Sequence, residues 1–85
     1  MGPKLMIYTM THCLTCAETS QTVAQIRQRM PDLEIQIVDL ERPDTEIPSK
    51  VFSAPTYMVN GDVISLGNPY GDQLEASIRR YIPAT

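Results

Sequence analysis

Two cysteines stand three residues apart in the segment MTHCLTC, residues 10–16, and the chain contains no other cysteine. Residues at this spacing near the start of a helix have Cα atoms about 5 Å apart, inside the range of about 4.4–6.8 Å that a disulfide requires. Cys13 and Cys16 can therefore act as a redox couple, or hold a soft metal ion between two thiolates. A third interpretation makes them small core residues.

The two thiols differ in their positions relative to the predicted helix. Cys13 lies at its start, where unpaired N–H groups and the positive end of the helix dipole stabilise an anion, which predicts that Cys13 is the nucleophile. Cys16 shares the apolar helix face with Val23 and Ile26, so we expect a half-buried thiol that resolves a mixed disulfide. His12 is a third catalytic candidate, because an imidazolium would favour the Cys13 thiolate; the alternative is a solvated side chain.

Size and charge limit the possible partners. A chain of 85 residues with 42% hydrophobic and 20% charged residues is typical of one globular domain, here residues 1–85. A net charge of -3 without a lysine or arginine cluster argues against nucleic acid and anionic membrane surfaces. The sequence shows neither a leader pattern nor a membrane-spanning run, so we expect a cytoplasmic protein. In that compartment a CxxC pair is catalytic or metal-binding more often than structural.

Hydrophobic periodicity predicts the order of the secondary structure elements. The predicted elements are a strand at 4–9, a helix at 14–30, a strand at 33–38, a polar connection without a regular helix at 41–50, strands at 56–59 and 63–66, and a helix at 69–82. Asn60-Gly61 indicates a hairpin between the last two strands. We expect Asn68 to cap the last helix and Pro69 to be its first residue. Apolar faces are predicted to include Ile37 of the second strand and Ile82 of the last helix.

Three motifs resemble those of small proteins of the thioredoxin and glutaredoxin family: YTMTHCLTC after the first strand, SAPT before the third strand, and NGDVISLG before the last helix. The resemblance implies a minimal thioredoxin fold, an α/β fold of order β-α-β-β-β-α with a central mixed four-stranded sheet. It also implies a cis peptide bond before Pro55, whereas the alternative is an ordinary turn proline. Ala54, Pro55 and Thr56 would then form the substrate platform opposite the cysteines. Leu14 and Thr15 complete the predicted substrate-contacting residues.

Departures from the family pattern bear on specificity. Thioredoxins resemble one another in a buried aspartate on the first of these strands, and Ile7 occupies that place here. Glutaredoxins that use glutathione resemble one another in a basic residue three positions before the first cysteine, where this chain has Met10. Only Asp72 is similar to the acidic residues that bind the amino end of glutathione. The resemblance therefore implies a protein that is not specific for glutathione.

Together these features predict a monomeric thiol-disulfide oxidoreductase that reduces or exchanges protein disulfides and serves in electron transport. By the resemblance, its only redox group is the Cys13–Cys16 disulfide, with no separate cofactor or metal, and its electron donor is of the thioredoxin reductase type. The alternative is a small metal-binding protein or a copper or zinc chaperone, because MTHCLTC also resembles the Met-x-Cys-x-x-Cys loop of heavy-metal-binding domains. Those domains end on a strand, however, and His12 with the two cysteines supplies at most three of four zinc ligands.

Overall fold

The computed structural model describes residues 3–10, 15–42, 44, 46–51 and 53–82. In chain order, the elements are β1 (Lys4–Thr9), a 3₁₀ helix (Thr15–Glu18), α1 (Thr19–Arg29), β2 (Glu34–Asp39), β3 (Thr56–Val59), β4 (Asp62–Leu66) and α2 (Gly71–Arg79). The predicted order of strands and helices is confirmed. No helix among the described residues has the length and apolar character needed to cross a membrane.

The four strands form one mixed sheet, as predicted, and their order in this sheet is β2-β1-β3-β4. Strand β1 pairs in parallel with β2 and antiparallel with β3, and β3 pairs antiparallel with β4. The antiparallel register places Tyr8 of β1 opposite Thr56 of β3. The chain therefore leaves β1 toward the cysteines at the same edge of the sheet where it enters β3 from Pro55.

A two-residue turn joins β3 to β4. Asn60 has a φ of 52° and Gly61 a φ of 85°. Positive φ at both central residues is what a type I′ turn requires, and its twist matches that of the paired strands. The Asn60-Gly61 hairpin prediction is confirmed, although β4 begins at Asp62, one residue before its predicted start.

Both helices pack on one face of the sheet and enclose the main hydrophobic core. This core consists of Leu5, Ile7, Val23, Ile26, Tyr57, Val59, Leu74 and Ile78. Each of the elements β1, β3, α1 and α2 contributes two of these side chains. The apolar faces of the helices and of the strands therefore form one buried layer. This packing holds α1, and the 3₁₀ helix that precedes it, above the sheet.

The opposite face of the sheet carries a smaller buried cluster. Tyr8, Val51 and Met58 form it, with Val38 and Leu40 among the residues packed against it. The connection between β2 and β3 contributes Val51, whose N–H donates to the carbonyl of Pro48 at 2.9 Å. The described residues of this connection contain no helix, as the polar sequence with two prolines predicts.

Four boundary and burial predictions are wrong in detail. The segment predicted as the start of α1 contains a 3₁₀ helix, and α1 begins only at Thr19. Ile37 is 52% exposed, because β2 is an edge strand whose outer rim the helices leave uncovered. Ile82 is 38% exposed, because α2 ends at Arg79. Asn68 does not cap α2, which follows Tyr70 as its N-cap residue, and Pro69 therefore precedes the helix.

Candidate functional site

The candidate site lies where β1 ends and the 3₁₀ helix begins. Cys16 lies within that helix, is half-buried as its register predicts, and is disulfide-bonded. Thr15 is the first residue of the same helix. His12, Cys13 and Leu14 lie outside the described residues, so their predicted roles remain predictions.

The turn before β3 has the conformation that the family resemblance implies. The Ala54–Pro55 peptide bond is cis. Pro55 is fully buried and Ala54 is half-buried, so the turn presents Ala54 rather than the proline ring toward solvent. The Pro55 carbonyl accepts a hydrogen bond from the N–H of Gly67 at 2.9 Å, which ties this turn to the end of β4.

Thr56 supports the turn around Pro55 from its buried side. Its side chain is fully buried, and its hydroxyl donates to the Ser53 carbonyl at 2.6 Å. Thr56 also begins β3 and pairs with Leu66 of β4. The hydroxyl therefore closes the turn around Pro55, and Thr56 shapes the predicted substrate platform by holding its backbone.

A buried polar network connects the segments around the site. The side-chain oxygen of Asn68, Oδ1, accepts hydrogen bonds from the Tyr57 hydroxyl at 2.7 Å and from the Thr19 hydroxyl at 2.9 Å. Tyr57 is 0% exposed and Thr19 is 3% exposed. Because buried donors must be paired, one amide oxygen satisfies two groups that would otherwise be costly to bury.

The position of this network explains what it does for the site. Thr19 directly follows the 3₁₀ helix that contains Cys16, and Tyr57 lies two residues after Pro55. Asn68 follows Gly67, whose N–H is bound to the Pro55 carbonyl. The network thus fixes the spacing between the cysteine helix, the cis-proline turn and the loop that leads into α2.

Tyr57 is held as a neutral phenol in this network. Burial raises the pKa of Tyr57 above its ordinary value, and hydrogen bonds with Thr22 and Thr19 offset part of that effect. Sequence reasoning missed the network because it assigned Asn68 to helix capping. The available signal was the tyrosine in TYMV, since a tyrosine in a buried strand needs a partner for its hydroxyl.

Polar contacts fasten the two helices to each other. The side-chain oxygen of Gln25 accepts a hydrogen bond from the Gly71 N–H at 3.0 Å, which satisfies a donor at the start of α2. Glu75 of α2 forms ion pairs with Arg29 of α1 at 3.1 Å and with Arg79 at 2.7 Å. Hydrogen bonds from the two guanidinium groups lower the pKa of Glu75. These contacts hold α1 in place and thereby the 3₁₀ helix in front of it.

One buried position of β1 differs from the family pattern described above. Ile7 is fully buried in β1 and belongs to the main core. The strand KLMIYT contains no carboxylate, so β1 supplies no acid to the site. Among the residues that the structure describes, no three histidine, cysteine, aspartate or glutamate side chains are grouped to hold a metal ion.

Comparison with known proteins agrees with this architecture. Thioredoxin from Methanocaldococcus jannaschii is 27% identical to the chain over 79 residues, which cover 91% of this chain and 93% of that protein. The solved structure of a malarial protein matches with a TM-score of 0.70 and 16% identity, covers 98% of this chain and 100% of its own, and shows the fold alone. The family model for the thioredoxin domain matches residues 4–79. The thioredoxin relative and the family model support a general role in thiol-disulfide oxidoreduction, and the chain belongs to the thioredoxin domain family.

Proposed function

We propose that this protein is a thiol-disulfide oxidoreductase that reduces or exchanges disulfides in other proteins through Cys13 and Cys16. The family match over residues 4–79 is the observation that carries the proposal. Two features support it: Cys16 is half-buried next to the end of β1, and the cis Ala54–Pro55 bond lies at the same edge of the sheet. His12 stabilises the Cys13 thiolate in this scheme.

The reaction consists of two thiol-disulfide exchanges. The Cys13 thiolate attacks one sulfur of the substrate disulfide, forms a mixed disulfide and releases the other substrate sulfur as a thiolate, which takes up a proton. The Cys16 thiolate then attacks the Cys13 sulfur and releases the second substrate sulfur in the same way. The substrate gains two electrons and two protons, and the protein ends with a Cys13–Cys16 disulfide. A dithiol or a flavoenzyme of the thioredoxin reductase type restores the two thiols.

The cis-proline turn positions the substrate for the first exchange. An extended substrate segment lies along Ala54 as an added strand, which aligns its disulfide with Cys13. Pro55 and Thr56 hold the backbone of this platform, and Leu14 and Thr15 flank the reacting sulfurs. The buried position of Pro55 and the hydrogen bond from Thr56 to Ser53 support a platform with little freedom to move.

The proposed electron donor is a protein of the thioredoxin reductase type rather than glutathione. Met10 precedes Cys13 by three positions, and its uncharged side chain offers no ion pair to a glutathione carboxylate. The protein acts in the cytoplasm as a monomer in this proposal. Metal transfer has less support, because the chain belongs to the thioredoxin domain family and its last described element is a helix.

Reduction of insulin disulfides tests the proposal. With dithiothreitol as the electron source, the protein should accelerate insulin reduction, and Cys13→Ser should abolish the acceleration. Glutathione with glutathione reductase should support little turnover in the same assay. The absence of any acceleration would overturn the oxidoreductase assignment, and efficient turnover with glutathione would overturn the choice of donor. Limited alkylation of the reduced protein should modify Cys13 before Cys16, and the reverse order would exchange their roles.

A further inference from the structure

A shallow hollow lies between the end of β1, the 3₁₀ helix and the edge strand β2. Its volume is about 300 Å³. The lining residues are Thr9, Met10, Cys16, Ala17, Thr19, Ser20 and Ile37. Cys16 itself lines the hollow, and Met10 precedes Cys13 by three positions in the chain.

Two large apolar side chains of this hollow are exposed to solvent. Ile37 is 52% exposed and Met10 is 39% exposed. Isolated exposed apolar residues are ordinary, but here a branched aliphatic side chain and a thioether line the same hollow as a redox cysteine. The flexible methionine can adapt its shape to different contacts.

We propose that this hollow binds a large apolar side chain of the protein substrate, one or two residues away from the substrate's reacting cysteine. This inference rests on the proposed function and specifies its substrate class. A substrate sulfur in exchange with Cys13 brings its neighbouring residues close to Cys16 and the hollow, since an extended chain advances about 3.3 Å per residue. The residue that enters the hollow therefore belongs to the same substrate chain as the reacting cysteine.

The size and chemistry of the hollow select such an occupant. A volume of about 300 Å³ lies at the lower limit for small-molecule pockets and accommodates a single large side chain. The described lining residues carry no charged group, whereas glutathione offers two carboxylates and an amine. Leucine, isoleucine, methionine and phenylalanine next to the substrate cysteine would each bury apolar surface against Met10 and Ile37.

The test uses two sets of synthetic peptide disulfides that differ only in having leucine or alanine beside the cysteine. Wild-type protein, reduced by dithiothreitol, should show a kcat/KM about five- to tenfold higher for the leucine peptides. Ile37→Ser and Met10→Ser should remove this preference by raising KM for the leucine peptides. Ile47→Ser is the matched control, because Ile47 is 51% exposed and does not line the hollow. It should retain the full preference.

A small disulfide that has no amino-acid side chain to place in the hollow distinguishes this inference from the proposed function. Bis(2-hydroxyethyl) disulfide should be reduced at equal rates by wild type and by the Ile37→Ser variant. Equal kcat/KM of the wild type for leucine and alanine peptides, or the same loss of preference in Ile47→Ser, would overturn the hollow as a binding site and leave the oxidoreductase function standing. Failure of the wild type to reduce any of these disulfides would instead overturn the proposed function and this inference with it.

Discussion

Replacing Asn68 by alanine should destabilise the protein more than removing either of the two hydroxyl groups that donate hydrogen bonds to Asn68. The Tyr57 and Thr19 hydroxyls both donate to its Oδ1 atom, and both side chains are almost completely buried. Asn68→Ala therefore leaves two buried donors without this acceptor. Tyr57→Phe removes one donor and leaves Asn68 with its bond from Thr19.

The difference in magnitude follows from the cost of unpaired polar groups. A buried donor that loses its acceptor costs about 1–3 kcal/mol, whereas a hydrogen bond removed with little else contributes about 1 kcal/mol. We expect a loss of about 2–3 kcal/mol for Asn68→Ala, since two buried donors lose their acceptor, and of about 1 kcal/mol for Tyr57→Phe, which removes a donor together with its hydrogen bond. In a domain of this size, 1 kcal/mol corresponds to about 4–8 °C in melting temperature.

Urea unfolding followed by circular dichroism measures both variants. Tyr8→Phe serves as the control for losing a tyrosine hydroxyl from the sheet, because Tyr8 is equally well buried but lies in the cluster on the opposite face. Asn68→Ala should lower the unfolding midpoint most and Tyr8→Phe least. A loss in Asn68→Ala no larger than that in Tyr57→Phe would refute the idea that one amide oxygen satisfies both hydroxyls.

Three further predictions concern the pH dependence of stability and the helix contact. The pKa of Tyr57 is raised in the folded protein, so the stability that Tyr57 contributes is complete below its ordinary pKa of 10.0 and declines above it. In urea unfolding, wild type should therefore lose stability between pH 10 and 11 more steeply than Tyr57→Phe. The lowered pKa of Glu75 gives a contribution present above its ordinary value of 4.5 and lost in acid, so Glu75→Gln should flatten the loss of stability below pH 4.5 in the same assay. A Cβ at Gly71 would lie 2.8 Å from the Gln25 Oε1 atom and 3.0 Å from its Cβ, so Gly71→Ala should lower the melting temperature, with a cost of about 1–3 kcal/mol from overpacking. An unchanged melting temperature would show that Gln25 moves aside freely.

The elements of the fold were predictable because each has a strong local signal. The alternation of apolar residues in the strands, the helical period around Val23 and Ile26, and the Asn60-Gly61 turn each depend on neighbours in the chain. The start of α2 was not predictable in this way. Asn68 and Pro69 have the residue types of a helix start, but the Asn68 amide binds Tyr57 and Thr19, which are distant in sequence.

The candidate site likewise has some features that short sequence motifs predict and others that depend on the assembled fold. The motif SAPT predicted the cis-proline turn that the structure contains, and the spacing of Cys13 and Cys16 predicts the reactive pair, because both are short sequences. The exposure of Ile37 depends on the place of β2 at the edge of the sheet, which a single strand does not reveal. The hollow beside Cys16 therefore became visible only when strand order and helix placement were known.

Covalent trapping of a substrate tests the central claim of thiol-disulfide exchange most directly. The variant Cys16→Ser lacks the resolving thiol, so reaction with a peptide disulfide should stop at a mixed disulfide. Mass spectrometry of the intact protein should show the mass of one peptide added through Cys13, and dithiothreitol should remove it. Cys13→Ser should form much less adduct under the same conditions. Absence of an adduct in Cys16→Ser, or equal labelling of the two variants, would contradict the assignment of Cys13 as the nucleophile and Cys16 as the resolving thiol.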